Sequence, residues 1–215
     1  MKTDKQLKAD IENELGWEPS LKAEKIGVSV NDGIVQLSGQ VGSFAEKYAA
    51  QRAALRVADV KAVAVEIDVV LAGLDTHTDE DLARAALDHL RWNSAVPDTV
   101  KVEVAKGWIT LSGEVEWQYQ RLEAETAVRF MSGVKGVINE IMIHPKPTSE
   151  DVKNRIEEAI KRSAALDAAK IRVTTEGGTV TLRGTVGSWM EREDAERAAW
   201  SAPGVVRVQD DILVG

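Results

Sequence analysis

Three stretches, IVQLSGQV (34–41), WITLSGEV (108–115) and TVTLRGTV (179–186), can be laid over one another residue for residue. Apolar side chains alternate in each: Val35, Leu37 and Val41; Ile109, Leu111 and Val115; Val180, Leu182 and Val186. A period of two places each set on one side of a strand with one buried face. Gly39, Gly113 and Gly184 share one place inside these strands, where a glycine marks a bulge or a close approach. Six residues earlier lie Gly33, Gly107 and Gly178, which end the turns NDG, AKG and EGG and permit a positive φ there. We read both sets of glycines as structural.

Upstream of each turn runs another alternating strand, with Val28 and Val30, Val102 and Val104, and the weaker Val173 and Thr175. Strand, glycine turn and strand make a β-hairpin. Further upstream Thr3, Thr78 and Thr148 share one offset from an amphipathic stripe. The stripe is Leu7, Ile11 and Leu15; Leu82, Ala86 and Leu90; Val152, Ile156 and Ile160. A threonine there reads as a helix N-cap, with Gln6 completing a capping box and Asp81 and Asp151 adding negative charge at the other helix starts. Downstream, a second helix carries recurrent small residues, Ala50, Ala124 and Ala195, then Ala53, Ala127 and Ala198. It leads through DVKAV (59–63), GVKGV (133–137) and GVVRV (204–208) to a last strand. The expected fold is α+β: three tandem α-β-β-α-β modules, each a small three-stranded mixed sheet covered on one face by two helices. The modules are expected at 1–74, 75–147 and 148–215, joined by LAGLDTH (71–77) and HPKPT (144–148).

The chain has 215 residues, no Cys, and a formal net charge of −8. Without Cys there are no disulfides, thiolate metal sites or Cys nucleophiles. The acidic balance argues against nucleic acid as a partner. No window approaches the roughly 18 apolar residues of a membrane span. The start, MKTDKQLKADIENEL, is charged and lacks the apolar core of a secretory signal. As it stands, the sequence points to the cytoplasm; the alternative is the periplasm after removal of a signal.

The order and spacing of these landmarks resemble the BON domain, three times over nearly the whole chain. The likeness rests on V-x-L-x-G-x-V in the hairpin, the Ala-rich second helix, and G-V-x-x-V before the last strand. In the first copy Asp59 stands in place of that motif's glycine, where an alternate helix ending is expected. The resemblance implies a non-catalytic module of bacterial envelope and osmotic-stress proteins, without cofactor, that attaches to phospholipid surfaces or envelope proteins. It also implies alternatives: self-association as a homo-oligomer, potassium binding through backbone carbonyls in the cytoplasm, and holdase-type chaperoning.

Catalysis finds no support in the residues. Ser38 and Ser112 precede the strand glycine, but Arg183 takes that place in the third copy and no His recurs as a base. His77, His89 and His144 lack metal-ligand spacing, and Asp75, Asp79 and Asp81 lack the order of a calcium loop. The aromatics offer more. Phe44, Trp117 and Trp189 stand where the second helix begins, and Trp200 shares a helical face with Trp189. With Arg192 and Arg197 they form the candidate lipid or partner surface, because Trp favours a membrane interface and Arg pairs with phosphate; the alternative is that these rings cap the core while Glu191, Glu193, Asp194 and Glu196 neutralise the arginines.

Overall fold

The computed structural model describes residues 2–71, 77–144, 151–163 and 168–215. The first repeat runs α1 (Asp4–Trp17), β1 (Ile26–Asn31), β2 (Ile34–Val41), α2 (Phe44–Arg56) and β3 (Ala62–Val69). The second comprises α3 (Asp79–Trp92), β4 (Lys101–Ala105), β5 (Trp108–Ser112), β6 (Glu114–Val115), α4 (Gln118–Arg129), β7 (Gly136–Asn139) and β8 (Met142–Ile143). The third is α5 (Val152–Arg162), β9 (Ile171–Glu176), β10 (Thr179–Val186), α6 (Trp189–Trp200) and β11 (Arg207–Val214). By backbone proximity the chain forms two compact units, residues 1–113 with 120–141, and residues 114–119 with 142–215.

Each three-stranded sheet is mixed. The second hairpin strand is central, antiparallel to the first and parallel to the strand after the crossover helix, as in β1-β2-β3 and β11-β10-β9. In the second repeat the same plan breaks at Gly113 into β4-β5-β7 and a short parallel pair, β6 with β8. Period-two burial follows from the pattern: Val35 and Leu37, Ile109 and Leu111, Val180 and Leu182 are fully buried. The stripe Leu7, Ile11 and Leu15 lies in one core with them, and Leu82, Ala86 and Leu90 and Ile156 and Ile160 are likewise buried, with Val152 half-buried.

On the second helix the inward pair is spaced by four: Ala50 and Ala54, Ala124 and Val128, Ala195 and Ala199. The expected partners three residues on are less uniform, since Ala53 is buried but Ala127 and Ala198 are half-buried. Spacing by four keeps this helix face over the sheet. Two other expectations change. The third first-helix begins behind Asp151, whose side chain accepts from the Asn154 N–H, so the cap sits later than the threonine offset implies. Thr148 itself lies outside the described residues. Asp59 does not alter the ending of α2: it takes φ +74°, beside +87° at Gly133 and +85° at Gly204. The Lys2 N–H donates to its carboxylate at 2.9 Å.

The caps at Thr3 and Thr78 form as expected, the former as a full capping box. The residue after each cap ties helix to hairpin. Asp4 accepts the N–H groups of Asp32 and Gly33 at 2.9 and 3.1 Å; Asp79 accepts those of Lys106 and Gly107 at 2.7 and 2.9 Å. Both central residues of these turns have positive φ, including the non-glycines Asp32 (+51°) and Lys106 (+54°). Such turns suit the twist of a hairpin but strain a residue with a Cβ, and the clasp holds the amides in place. The third turn uses Gly177 and Gly178, and its matching helix residue, Ser149, lies outside the described residues.

The N–H groups of Gly107 and Lys106 hold the Asp79 carboxyl below its ordinary range. The folded repeat therefore binds this proton less readily than the unfolded chain. The clasp contributes fully above the unfolded carboxyl pKa, about 4, and its contribution is lost as pH falls through the depressed folded value. The protection of the Lys106 and Gly107 amides against hydrogen exchange, relative to their intrinsic rates, is expected to fall through that acid window in the wild type. In Asp79→Asn that protection should be lower at neutral pH and flatter against pH; identical profiles would rule the clasp out.

Candidate interaction surfaces

Phe44 and Trp189 open α2 and α6, and Trp117 stands one residue before α4; all three are half-buried. Serines cap the two helices that these aromatics open, Ser43 accepting from Glu46 N–H and Ser188 from Glu191 N–H. Trp117 occupies the place of those serines in the second repeat. Trp200, at the far end of α6, packs against the third core while its indole N–H donates to Glu196 at 3.2 Å.

The two arginines of the candidate surface are engaged. Arg192 lies 4.9 Å over the Trp189 ring and bonds Asp210 at 2.6 Å, leaving 26% of its side chain exposed. It is a strut between α6 and β11 rather than a solvent-facing cation, and Arg121 repeats it by donating to the Asn139 carbonyl at 2.9 Å. Arg197 is 75% exposed and pairs with Asp194 at 2.5 Å. The acidic residues of α6 thus offset the positive potential of this face.

The histidines and the aspartates near them have local partners or stand exposed. His77 and His89 are exposed, and His144 lies 3.3 Å from Glu114. Asp79 serves the clasp, and Asp81 accepts from the Thr78 hydroxyl at 2.6 Å, which lowers its pKa. Asp75 lies outside the described residues. The turn glycines Gly33, Gly107 and Gly178 have φ near +80°. At Gly39, Gly113 and Gly184 an added Cβ would stand 2.1, 2.2 and 1.9 Å from the carbonyl oxygens of Lys25, Thr99 and Lys170. The chain entering each hairpin crosses directly over these strand glycines.

A different pair of aromatics is bare. Trp17 and Trp92 are 84% and 90% exposed, and each ends the first helix of its repeat. The cause is helix geometry. At about 100° per residue, a side chain two places beyond Leu15 or Leu90 points away from the core-facing stripe. Beside Trp17 an open cleft of about 530 Å³ is lined by Lys2, Asp10, Asn13, Glu14, Arg56 and Val57. Its charges are paired, Lys2 with Asp10 at 2.7 Å and Arg56 with Glu14 and Glu18 at 2.7 and 3.0 Å. The third repeat has Arg162 at the tryptophan position. The signal was available in the sequence as Leu-x-Trp at one offset in two repeats, two places past the stripe.

The model of the BON domain matches residues 3–70, 78–145 and 148–215. Osmotically-inducible protein Y of Escherichia coli (strain K12) is 30% identical over 148 residues, which span 64% of this chain and 71% of that protein. Among solved structures, CdsD, a structural protein of the type III secretion system of Chlamydia trachomatis, aligns at 16% identity over 98% of this chain and 92% of its own, with a TM-score of 0.27. The PrgH periplasmic domain aligns at 13% identity over 89% and 95%, with a TM-score of 0.22. Scores this low carry nothing about arrangement or role. The chain belongs to the BON domain family, which it contains as three consecutive copies.

Proposed function

We propose that the protein is a non-catalytic binding protein of the osmotic-stress class that docks on phospholipid surfaces through Trp17 and Trp92. The observation that carries this reading is the near-complete exposure of two tryptophans at one repeat position. Indole rings have an apolar body and one N–H donor, which suits the headgroup boundary of a bilayer. Burying one such ring is worth about 3 kcal/mol in transfer terms. The kinship with an osmotically inducible protein favours the periplasmic alternative over the cytoplasm.

Electrostatics should add little. The net charge is −8, the cleft beside Trp17 holds paired charges, and Arg192 and Arg197 have carboxylate partners. Binding to vesicles is therefore expected to depend weakly on salt and on lipid charge, unlike the salt-sensitive binding that a free arginine face would give. Vesicle flotation tests this with phosphatidylcholine alone and mixed with phosphatidylglycerol. Trp17→Ser and Trp92→Ser should each weaken binding about tenfold, an energy of about 1.4 kcal/mol, and circular dichroism should stay unchanged. Equal flotation of the double variant and the wild type would remove these tryptophans from consideration. A wild type that does not float would direct the search to a protein partner.

A further inference from the structure

Tyr48, Arg129 and Phe130 bring side chains of the first two repeats together. The Arg129 guanidinium at the end of α4 lies 4.0 Å over the ring of Tyr48, on α2 of the first repeat. Phe130 meets the same ring edge-on, with centroids 6.3 Å apart and planes at 76°. Arg129 also pairs with Glu125 on its own helix, and only 11% of its side chain is exposed. Its Nε is buried and has no hydrogen-bond acceptor among the described residues.

A guanidinium that leaves water needs compensation. Glu125 supplies a charge from within the second repeat, and the face of Tyr48 supplies a second partner from the first. None of the three side chains is required by the repeat fold. The places of Tyr48 are taken by Leu122 and Glu193, those of Arg129 by Leu55 and Trp200, and those of Phe130 by Arg56 and Ser201. At the Arg129 position the third repeat turns its tryptophan onto its own core. The joint is therefore built from residues in which the repeats differ, at positions their shared core leaves free to vary.

We propose that Tyr48, Arg129 and Phe130 form a latch that fixes the first two repeats as one rigid body in solution. Where the proposed docking holds, the latch sets the spacing of Trp17 and Trp92, so that one body carries both rings to a surface at once. The latch itself stands without that reading.

The native chain has no cysteine, so two introduced ones can be labelled without background. Spin labels at Lys5→Cys on α1 and Asp88→Cys on α3, both exposed, report the distance between the repeats in the full chain. We expect one narrow distance distribution in the native background and a broad, shifted one after Tyr48→Ala or Arg129→Ala. Tyr48→Phe keeps the ring and should keep the narrow peak, which separates loss of the latch from loss of fold. A distribution already broad in the native background, or one unchanged by both alanine variants, would overturn the proposal. Neither outcome depends on vesicle binding.

Discussion

Gly113→Val is expected to lower the stability of the second repeat by about 3 kcal/mol, seen as an earlier denaturant transition of the full chain. Two costs coincide at this position. Its φ is +115°, a region that L-residues rarely adopt and that a β-branched side chain tolerates worst. A Cβ there would also meet the Thr99 carbonyl oxygen at 2.2 Å and its carbon at 3.1 Å. Both are backbone atoms of the chain entering β4, so relief requires moving the strand. Hydrogen exchange should accelerate first in β4 and β5. A matched control is Gly177→Lys in the third repeat. Its φ of +53° resembles those of Asp32 and Lys106, and nothing lies within 4 Å of its added Cβ. That change should cost no more than about 1 kcal/mol. Equal midpoints for Gly113→Val and wild type would show that the crossing is not a constraint.

The second large effect concerns volume in the core. The first and third repeats carry Ile11 and Ile156 on the first helix and Ala54 and Ala199 on the second. In the second repeat the sizes are exchanged, with Ala86 on the first helix and Val128 on the second. All six are fully buried, and interiors packed this densely register one added methylene. Ala86→Ile alone should destabilise by about 1–3 kcal/mol through overpacking. Val128→Ala alone leaves a cavity and should cost a similar amount. The double variant restores the arrangement of the other repeats and should lie within about 1 kcal/mol of wild type. Additive losses in chemical denaturation would mean that the two positions do not share space.

The hairpins and their registers were legible because alternation writes burial directly into a strand: Leu37, Leu111 and Leu182 have one possible side. The first-helix stripes were legible for the same reason at a period of 3.6. What escaped were contacts without periodicity. In the sequence Asp79 figures only as a member of a rejected calcium loop, and the bonds of Asp4 and Asp79 to a turn some 27 to 29 residues away exist only in the folded chain. For Arg192 the sequence offered only the carboxylates of its own helix as partners, because Asp210 is a strand residue on the far side of a loop. The tryptophans that drew notice, Trp117, Trp189 and Trp200, are half-buried, whereas Trp17 and Trp92 lay just past a stripe that explained its own residues. The Tyr48–Arg129 stacking joins two repeats, and a pattern read within one repeat does not contain it.

The closing strands β3 and β11 each lie at the margin of a sheet, with one neighbour only. Strands of this kind are templates for mispairing, most of all when similar sequences are tethered in one chain. Each carries acidic residues, Glu66 and Asp68 in β3 and Asp210 and Asp211 in β11, the last two already paired with Arg192 and Arg183. Two such margins brought together would set carboxylates against one another. Acidic margins of this kind disfavour the exchange of strands between newly made repeats.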